Sequence, residues 1–217
     1  MVKILSDSTC DLSQELLEKY DISILPLHIL LGEKEYCDGV DITPDEIFQW
    51  SDAQKTTPKT SAPALDMAME MLEPFVKEKQ PVICFSISED MSTSANVMRM
   101  AASELEAEDL VTVIDSASLS TGIGLLVLHA AEMAQAGKTV EEIQTEIEEL
   151  KPKVRASFVV DTLVYLYRGG RCSGLAAMFG SALHLHPMIV VENGKMHSSK
   201  KYRGKLSKVI LDYAKDL

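Results

Sequence analysis

Four short stretches of this 217-residue chain place hydroxyls beside a carboxylate or beside each other: Ser6-Asp7-Ser8-Thr9, Ser86-Ile87-Ser88, Asp115-Ser116-Ala117-Ser118 and Asp161-Thr162. Each follows a run that reads as a β-strand. Ligands of open parallel sheets bind beyond the carboxyl ends of the strands, so these stretches would share one rim. One reading makes them N-caps of the helices that follow. A second makes them a rim of hydroxyls and helix amides suited to a carboxylate or phosphate. A third uses Asp7, Asp115 or Asp161 as acid or base in an enzyme acting on a small carboxylated or phosphorylated metabolite. That enzyme would need a metal or nucleotide site. The chain has no G-x-G-x-x-G after its first strand, no G-x-x-x-x-G-K-[ST] and no G-x-S-x-G. Thr121-Gly122-Ile123-Gly124 falls within a helical pattern and reads as close helix packing. No cofactor is expected.

The five histidines point nowhere definite. His184 and His186 lie two apart, on one face if extended, but without a neighbouring Asp, Glu or Cys they do not make a metal site. His28 and His129 fall on mostly buried elements, and His197 beside Lys200 and Lys201 reads as surface. Cysteines at 10, 37, 84 and 172 fit no zinc or disulfide spacing, which places the chain in a reducing, cytoplasmic setting. Eleven methionines, with Met67, Met69 and Met71 on one helix, Met98 and Met100 on another and Met178 near a third, either fill the core or line an adaptable apolar tunnel. A tunnel beside an anion rim would suit a fatty acid.

The elements that must hold these residues alternate strand and helix. Val2–Leu5 reads as a buried strand rather than a signal peptide. Ser13–Tyr20 is helical, and Ile22–Leu31 reads as one strand interrupted by Pro26, at an edge or bulge. Thr43-Pro44-Asp45-Glu46 is a capping box opening a helix. Residues 54–61 are polar and read as loop. A helix over 63–79, strand 82–86, helix 92–105, strand 110–115, helix 119–136 and a second capping box at Thr139 complete an α/β pattern with a mainly parallel sheet. Strand 156–160 and a short helix 162–167 follow, then Arg168-Gly169-Gly170-Arg171, which reads either as a helix C-cap with a surface Arg or as an anion contact. A helix over 173–183, a hairpin around Asn193-Gly194 and a helix over 205–217 end the chain.

Composition bounds the function. Lys and Arg number 21 against 33 Asp and Glu, so binding nucleic acid by bulk charge is excluded. Residues 1–152 carry net −19 and residues 153–217 carry net +7. That inversion points to two domains, 1–155 and a smaller 156–217, the second meeting an anion or an acidic partner. No apolar run approaches the ~18 residues of a membrane span. No exposed apolar stripe stands out, so a monomer is expected.

Several segments together resemble the DegV family. They are Ser6-Asp7-Ser8-Thr9-Cys10-Asp11-Leu12, Thr60-Ser61-Ala62-Pro63-Ala64, Ile87-Ser88-Glu89-Asp90-Met91-Ser92, Val113-Ile114-Asp115-Ser116, Asp161-Thr162-Leu163 through Gly169-Gly170-Arg171, and Leu185-His186-Pro187-Met188-Ile189 with Asn193-Gly194 and Lys201-Tyr202-Arg203. The resemblance implies a two-domain α/β fold that binds a long-chain fatty acid between its domains. It implies a carrier, not an enzyme, serving a partner fatty-acid kinase that supplies ATP. By matching motifs, Thr60, Ser61 and Ser92, with Thr93 and Ser94 behind it, would meet the carboxylate. Arg171 would neutralise it, and Arg203 would help dock the kinase. Thr93-Ser94 stands where the family usually has Gly-Thr, so the helix start would be shaped differently. Family members usually continue past the position of Leu217 with a His-Gly-Pro-Gly segment, so the second domain is expected to be incomplete and its pocket more open.

Overall fold

The computed structural model describes residues 1–171 and 185–217. Its centre is a four-stranded, all-parallel sheet in the order β2 (Ile22–Leu25), β1 (Lys3–Asp7), β6 (Val82–Ser86), β7 (Val111–Asp115). A parallel sheet is covered on both faces, so its inner strands run apolar on both sides. All five residues of β1 and all five of β6 are buried. Ile4, Ile83, Phe85 and Ile114 face one layer, which holds α5 (Thr121–Gln135) and α6 (Val140–Leu150). Leu5, Val82, Cys84 and Val111 face the other, α3 (Leu65–Lys77) and α4 (Ser94–Glu104). Gly122 and Gly124 let α5 approach: a Cβ on Gly124 would stand 2.8 Å from the Cys10 carbonyl and one on Gly122 against the Ser118 hydroxyl. The close-packing reading of this G-x-G holds.

The 22–31 segment is two strands, not one. Pro26 has no N–H to continue the ladder. The chain leaves the parallel sheet at Leu25, and His28–Leu31 becomes β3 of a separate antiparallel sheet, ordered β4 (Lys34–Cys37), β3, β5 (Lys59–Ser61). The expected loop over 54–61 therefore ends in a strand. Its three residues are all exposed, so no alternation marks it, and pairing of His28 with Ser61 and Ile29 with Thr60 creates it. Ile29, Leu31 and Ile42 give this sheet a small core. The first capping box opens α2 (Pro44–Gln54), with Thr43 and Glu46 exchanging side-chain bonds, and the second does the same at Thr139 and Glu142.

A third sheet follows Pro152. It is antiparallel, β10 (Lys195–Arg203), β9 (Leu185–Glu192), β8 (Ala156–Val159). Asn193 and Gly194 both adopt positive φ, as a two-residue hairpin turn requires. Ile189 is its fully buried centre, packed by Phe158, Leu163, Leu166 and Met196. α7 (Val164–Gly169) and α8 (Leu206–Asp216) flank it. Tyr213 of α8 donates to the Ser157 carbonyl at 2.8 Å and meets the Tyr202 ring edge-on. The helix expected over 173–183, Cys172, Met178 and His184 lie outside the described residues. The whole is a mixed α/β fold, with a parallel sheet between helices and a smaller α/β part behind it.

Candidate functional site

The loops leaving β1, β6 and β7 do converge beyond their strand ends, and their hydroxyls and carboxylates bind each other. Asp7, fully buried, accepts from the Thr9 amide and hydroxyl and, at 2.9 Å, from the Ile87 amide. Burial nevertheless pushes the Asp7 carboxyl above its ordinary range. Asp115 accepts from the Glu89 and Ala117 amides, and Ser88 N donates to the Ser118 carbonyl. Of these residues only Asp7 acts as an N-cap, for the short turn 8–10, and the others staple the loops to one another. The stapling builds a fixed frame for the segment between β6 and α4.

That segment carries Ser92, Thr93 and Ser94. Thr93 is the N-cap of α4 by position, yet its hydroxyl makes no cap bond and it is exposed. Ser92 is half-buried, its Oγ 2.9 Å from Ser94 Oγ, and it accepts from the Ser94 amide at 3.3 Å. The start of α4 thus gathers three hydroxyls at a helix N-terminus, the end of a helix that favours an anion.

Arg171 arrives from the other side. Gly170, at φ +73°, ends α7 in the left-handed conformation of a helix C-cap. The chain turns there, and the exposed guanidinium bridges the Gly169 carbonyl at 2.5 Å and the Met91 carbonyl at 3.4 Å. The C-cap reading of Gly169-Gly170-Arg171 therefore holds at Gly170, and the arginine reaches across to the residue before Ser92. A cavity of about 450 Å³ opens here, lined by Asp90 and Met91 on one side and by Gly170, Arg171, Lys195, Met196 and His197 on the other. The hairpin tip is fastened beside it. Ser88 Oγ donates to the Gly194 carbonyl at 2.7 Å, and Lys195 pairs with Asp90 at 3.5 Å. Lys195 and His197 were not singled out by sequence reasoning as pocket residues. Asn193-Gly194, which marks the hairpin, is the signal that could have placed them at its tip.

Thr60 and Ser61 stand on β5. The turn after them is held by His28, whose Nε2 accepts from the Ala64 amide at 3.2 Å while Nδ1 lies 2.7 Å from Glu35. Their side chains are exposed, and no hydrogen bond joins them to Ser92 or Arg171 among the described residues. Arg203 ends β10 and is exposed. It is followed by Gly204, whose carbonyl meets His186 Nε2 at 3.0 Å; His186 Nδ1 meets the Val160 carbonyl at 3.0 Å, with Asp161 at 3.7 Å. Both His186 nitrogens thus face backbone carbonyls. No cluster of three or more His, Cys, Asp or Glu among the described residues is arranged to hold a metal. Of the methionines, Met98 is core and Met67, Met69 and Met71 pack against it, while Met91 and Met196 line the cavity. A second hollow of about 790 Å³ lies between α6, β8, β9 and Leu217.

A family model described as "uncharacterised protein, DegV family" matches residues 1–213. The chain belongs to the DegV family. A DegV domain-containing protein of Clostridium perfringens is 38% identical over 203 residues, 94% of this chain and 72% of the relative. Among solved structures, a stearic acid-binding protein from Eubacterium ventriosum superposes with a TM-score of 0.90 at 35% identity, covering 100% of this chain and 76% of that one. A DegV family protein from Thermus thermophilus, described for its fatty acid binding, gives 0.85 at 31% identity, over 99% of this chain and 77% of its own. The resemblance read from the motifs and the fold it implied are therefore established. No helix among the described residues is long and apolar enough to cross a membrane.

Proposed function

We propose that this chain binds a long-chain fatty acid between its parallel-sheet part, residues 1–155, and its second part, residues 156–217, and presents the carboxylate to a separate kinase. The observation that carries this reading is the position of Arg171 against the Met91 carbonyl, at the wall of a cavity and one residue from Ser92, in a chain whose DegV neighbours bind fatty acids. A cavity of about 450 Å³ falls within the usual size of small-molecule sites, ~300–1,000 Å³. Ser92, with Thr93, Ser94 and the first amides of α4, donates to the carboxylate; Thr60 and Ser61 approach from β5. Hydroxyls and amides satisfy a carboxylate without burying a second full charge, and Arg171 at the mouth stays protonated at any working pH. The tail gains ~0.8 kcal/mol per methylene removed from water. The phosphoryl chemistry belongs to the kinase, and the chain acts as a monomeric carrier. Arg203 and the net +7 of residues 153–217 favour docking on an acidic kinase face.

The direct test is organic extraction of the purified protein followed by mass spectrometry of the extract. A stoichiometric acyl chain is expected. No lipid, together with no binding of added palmitate or oleate, sinks the reading. Ser92→Ala or Thr60→Ala is expected to weaken palmitate binding by ~1–3 kcal/mol if each hydroxyl pairs with the carboxylate. Transfer of radiolabelled phosphate from ATP to the bound lipid, with a cognate kinase present and not without it, tests the carrier role.

A further inference from the structure

His186 lies buried on β9, the central strand of the second sheet, and both of its ring nitrogens face acceptors. Nδ1 is 3.0 Å from the Val160 carbonyl and Nε2 is 3.0 Å from the Gly204 carbonyl. A carbonyl oxygen only accepts, and a neutral imidazole has a single N–H. A neutral ring would therefore turn one lone pair on a carbonyl, leaving a buried acceptor without a donor, which is costly. The imidazolium, with a hydrogen on each nitrogen, satisfies both contacts. His28 shows the opposite arrangement: its Nε2 accepts from the Ala64 amide, so there the neutral ring fits. The two carbonyls at His186 stand where the edge strands end. Val160 follows β8, and Gly204 lies between β10 and α8. One side chain thus ties three segments together at one end of the sheet.

We propose that His186 is a pH-sensitive latch: as imidazolium it holds the start of α8 to the sheet through the Gly204 carbonyl, and on losing its Nε2 proton to solvent it lets that end go. The proposal does not depend on the fatty-acid reading. Asp161 decides which contact survives, because its carboxylate, 3.7 Å from Nδ1, favours the hydrogen on that nitrogen. Gly204 is also the partner better able to move. Its φ of +127° is one that side-chain-bearing residues rarely adopt, and nothing crowds the space a Cβ would fill. The start of α8 has no other fastening of this kind, since Lys205 makes no side-chain cap bond. The groups around the ring leave it as the one that titrates near neutrality. Tyr202, opposite His186 in the β9–β10 register, donates to Asp216 and is held up to about 12. Lys201 and Arg203 on β10, Arg168 on α7, and Lys205 and Lys208 at the start of α8 are exposed cations. Asp212, on the second turn of α8, is the carboxylate of that helix nearest its start.

The experiment follows the full chain, labelled with nitrogen-15, from about pH 5 to 9, a span that covers the range in which histidines change charge. Nuclear magnetic resonance reads the His186 ring nitrogens directly. Amide exchange, corrected for its intrinsic pH dependence, reads the protection of Lys208 and Val209, whose amides close the first turn of α8 on the Lys205 carbonyl. At the acid end both ring N–H groups are expected. As pH rises the Nε2 hydrogen is lost first, and protection at Lys208 and Val209 falls with it, by at most about tenfold per pH unit for one linked proton. Protection in β1 and β6 should not change. His186→Lys, whose ammonium can donate to both carbonyls and stays charged over this range, is expected to keep α8 protected at every pH. His186→Phe, of similar shape and without donors, should lower that protection equally at every pH. A ring already neutral at pH 5 overturns the proposal. So does wild-type protection that stays flat from pH 5 to 9, a reading that holds even where His186→Phe fails to fold. A pH-dependent loss that persists in His186→Lys assigns the latch to another group and overturns it as well.

Discussion

In the parallel sheet every residue of β1 and β6 is buried, whereas β8 has no buried residue and β10 has one, Tyr202. The first sheet is sandwiched between two helix layers. Among the described residues the second has one fully buried aliphatic residue, Ile189, and its helix α8 has one buried anchor, Val209. The two parts are joined by polar ties: Ser88 to Gly194, Asp90 to Lys195, Arg171 to Met91 and Ser51 to Tyr165. A ligand site made this way has one rigid wall, which fixes the hydroxyls, and one wall held by bonds that water can replace. On the proposed fatty-acid reading, the difference locates where opening for a ligand costs least.

The comparison is broken most severely from the rigid side. Phe85→Ala removes a fully buried ring between β6 and the α5 layer. It is expected to cost ~3–5 kcal/mol in urea unfolding, with the whole molecule melting together. Ile189→Ala is expected to cost ~2–5 kcal/mol locally. Hydrogen exchange should accelerate in β8–β10 while β1 and β6 stay protected; equal acceleration in both sheets would refute the division. Gly194→Ala tests the tie itself, because its Cβ would stand 2.6 Å from Ser88 Oγ at φ +77°. A loss of about 1–2 kcal/mol is expected from the left-handed backbone alone, and the hairpin amides should exchange faster. Thr43→Ala removes a capping box on α2 and should cost about 1 kcal/mol without touching the hairpin.

The smallest effect is a pH effect. Bonds from Lys200 and Tyr202 hold the Asp216 carboxyl below its ordinary range. The same bond, more than burial, pushes the Tyr202 hydroxyl up to about 12. A lowered carboxyl contributes above its unfolded value and loses that contribution as pH falls through its folded one. The Tyr202 contribution is complete below its ordinary value and fades as pH rises through about 12. The α8–β10 contact should therefore loosen in acid and again in strong base, read by near-ultraviolet circular dichroism, with Asp216→Asn abolishing the acid limb.

Much of this was legible residue by residue. Thr43 and Thr139 cap because a hydroxyl and a Glu three positions on satisfy each other locally. Asn193-Gly194 turns because both residues tolerate positive φ. Lys3–Asp7 and Val82–Ser86 read as strands because an unbroken apolar run can be buried on both faces. β5 was not legible, since Lys59, Thr60 and Ser61 have no buried face and exist as a strand only through β3. The split at Pro26 was half legible: the missing N–H was visible, but not that the chain would change sheets.

The site divides along the same line. The hydroxyl motifs, the α4 start and Gly170-Arg171 were visible in the sequence, because caps and turns depend on residues within a few positions of each other. Which hydroxyls would be consumed as loop staples and which left at the cavity was not. Asp7 meets Ile87 across eighty positions of sequence, and Ser88 meets Gly194 across more than a hundred. Local chemistry chose the elements and the groups available for binding. Tertiary contacts alone decided which donors remain free, since a hydrogen bond has to choose among partners that only the folded chain brings within reach.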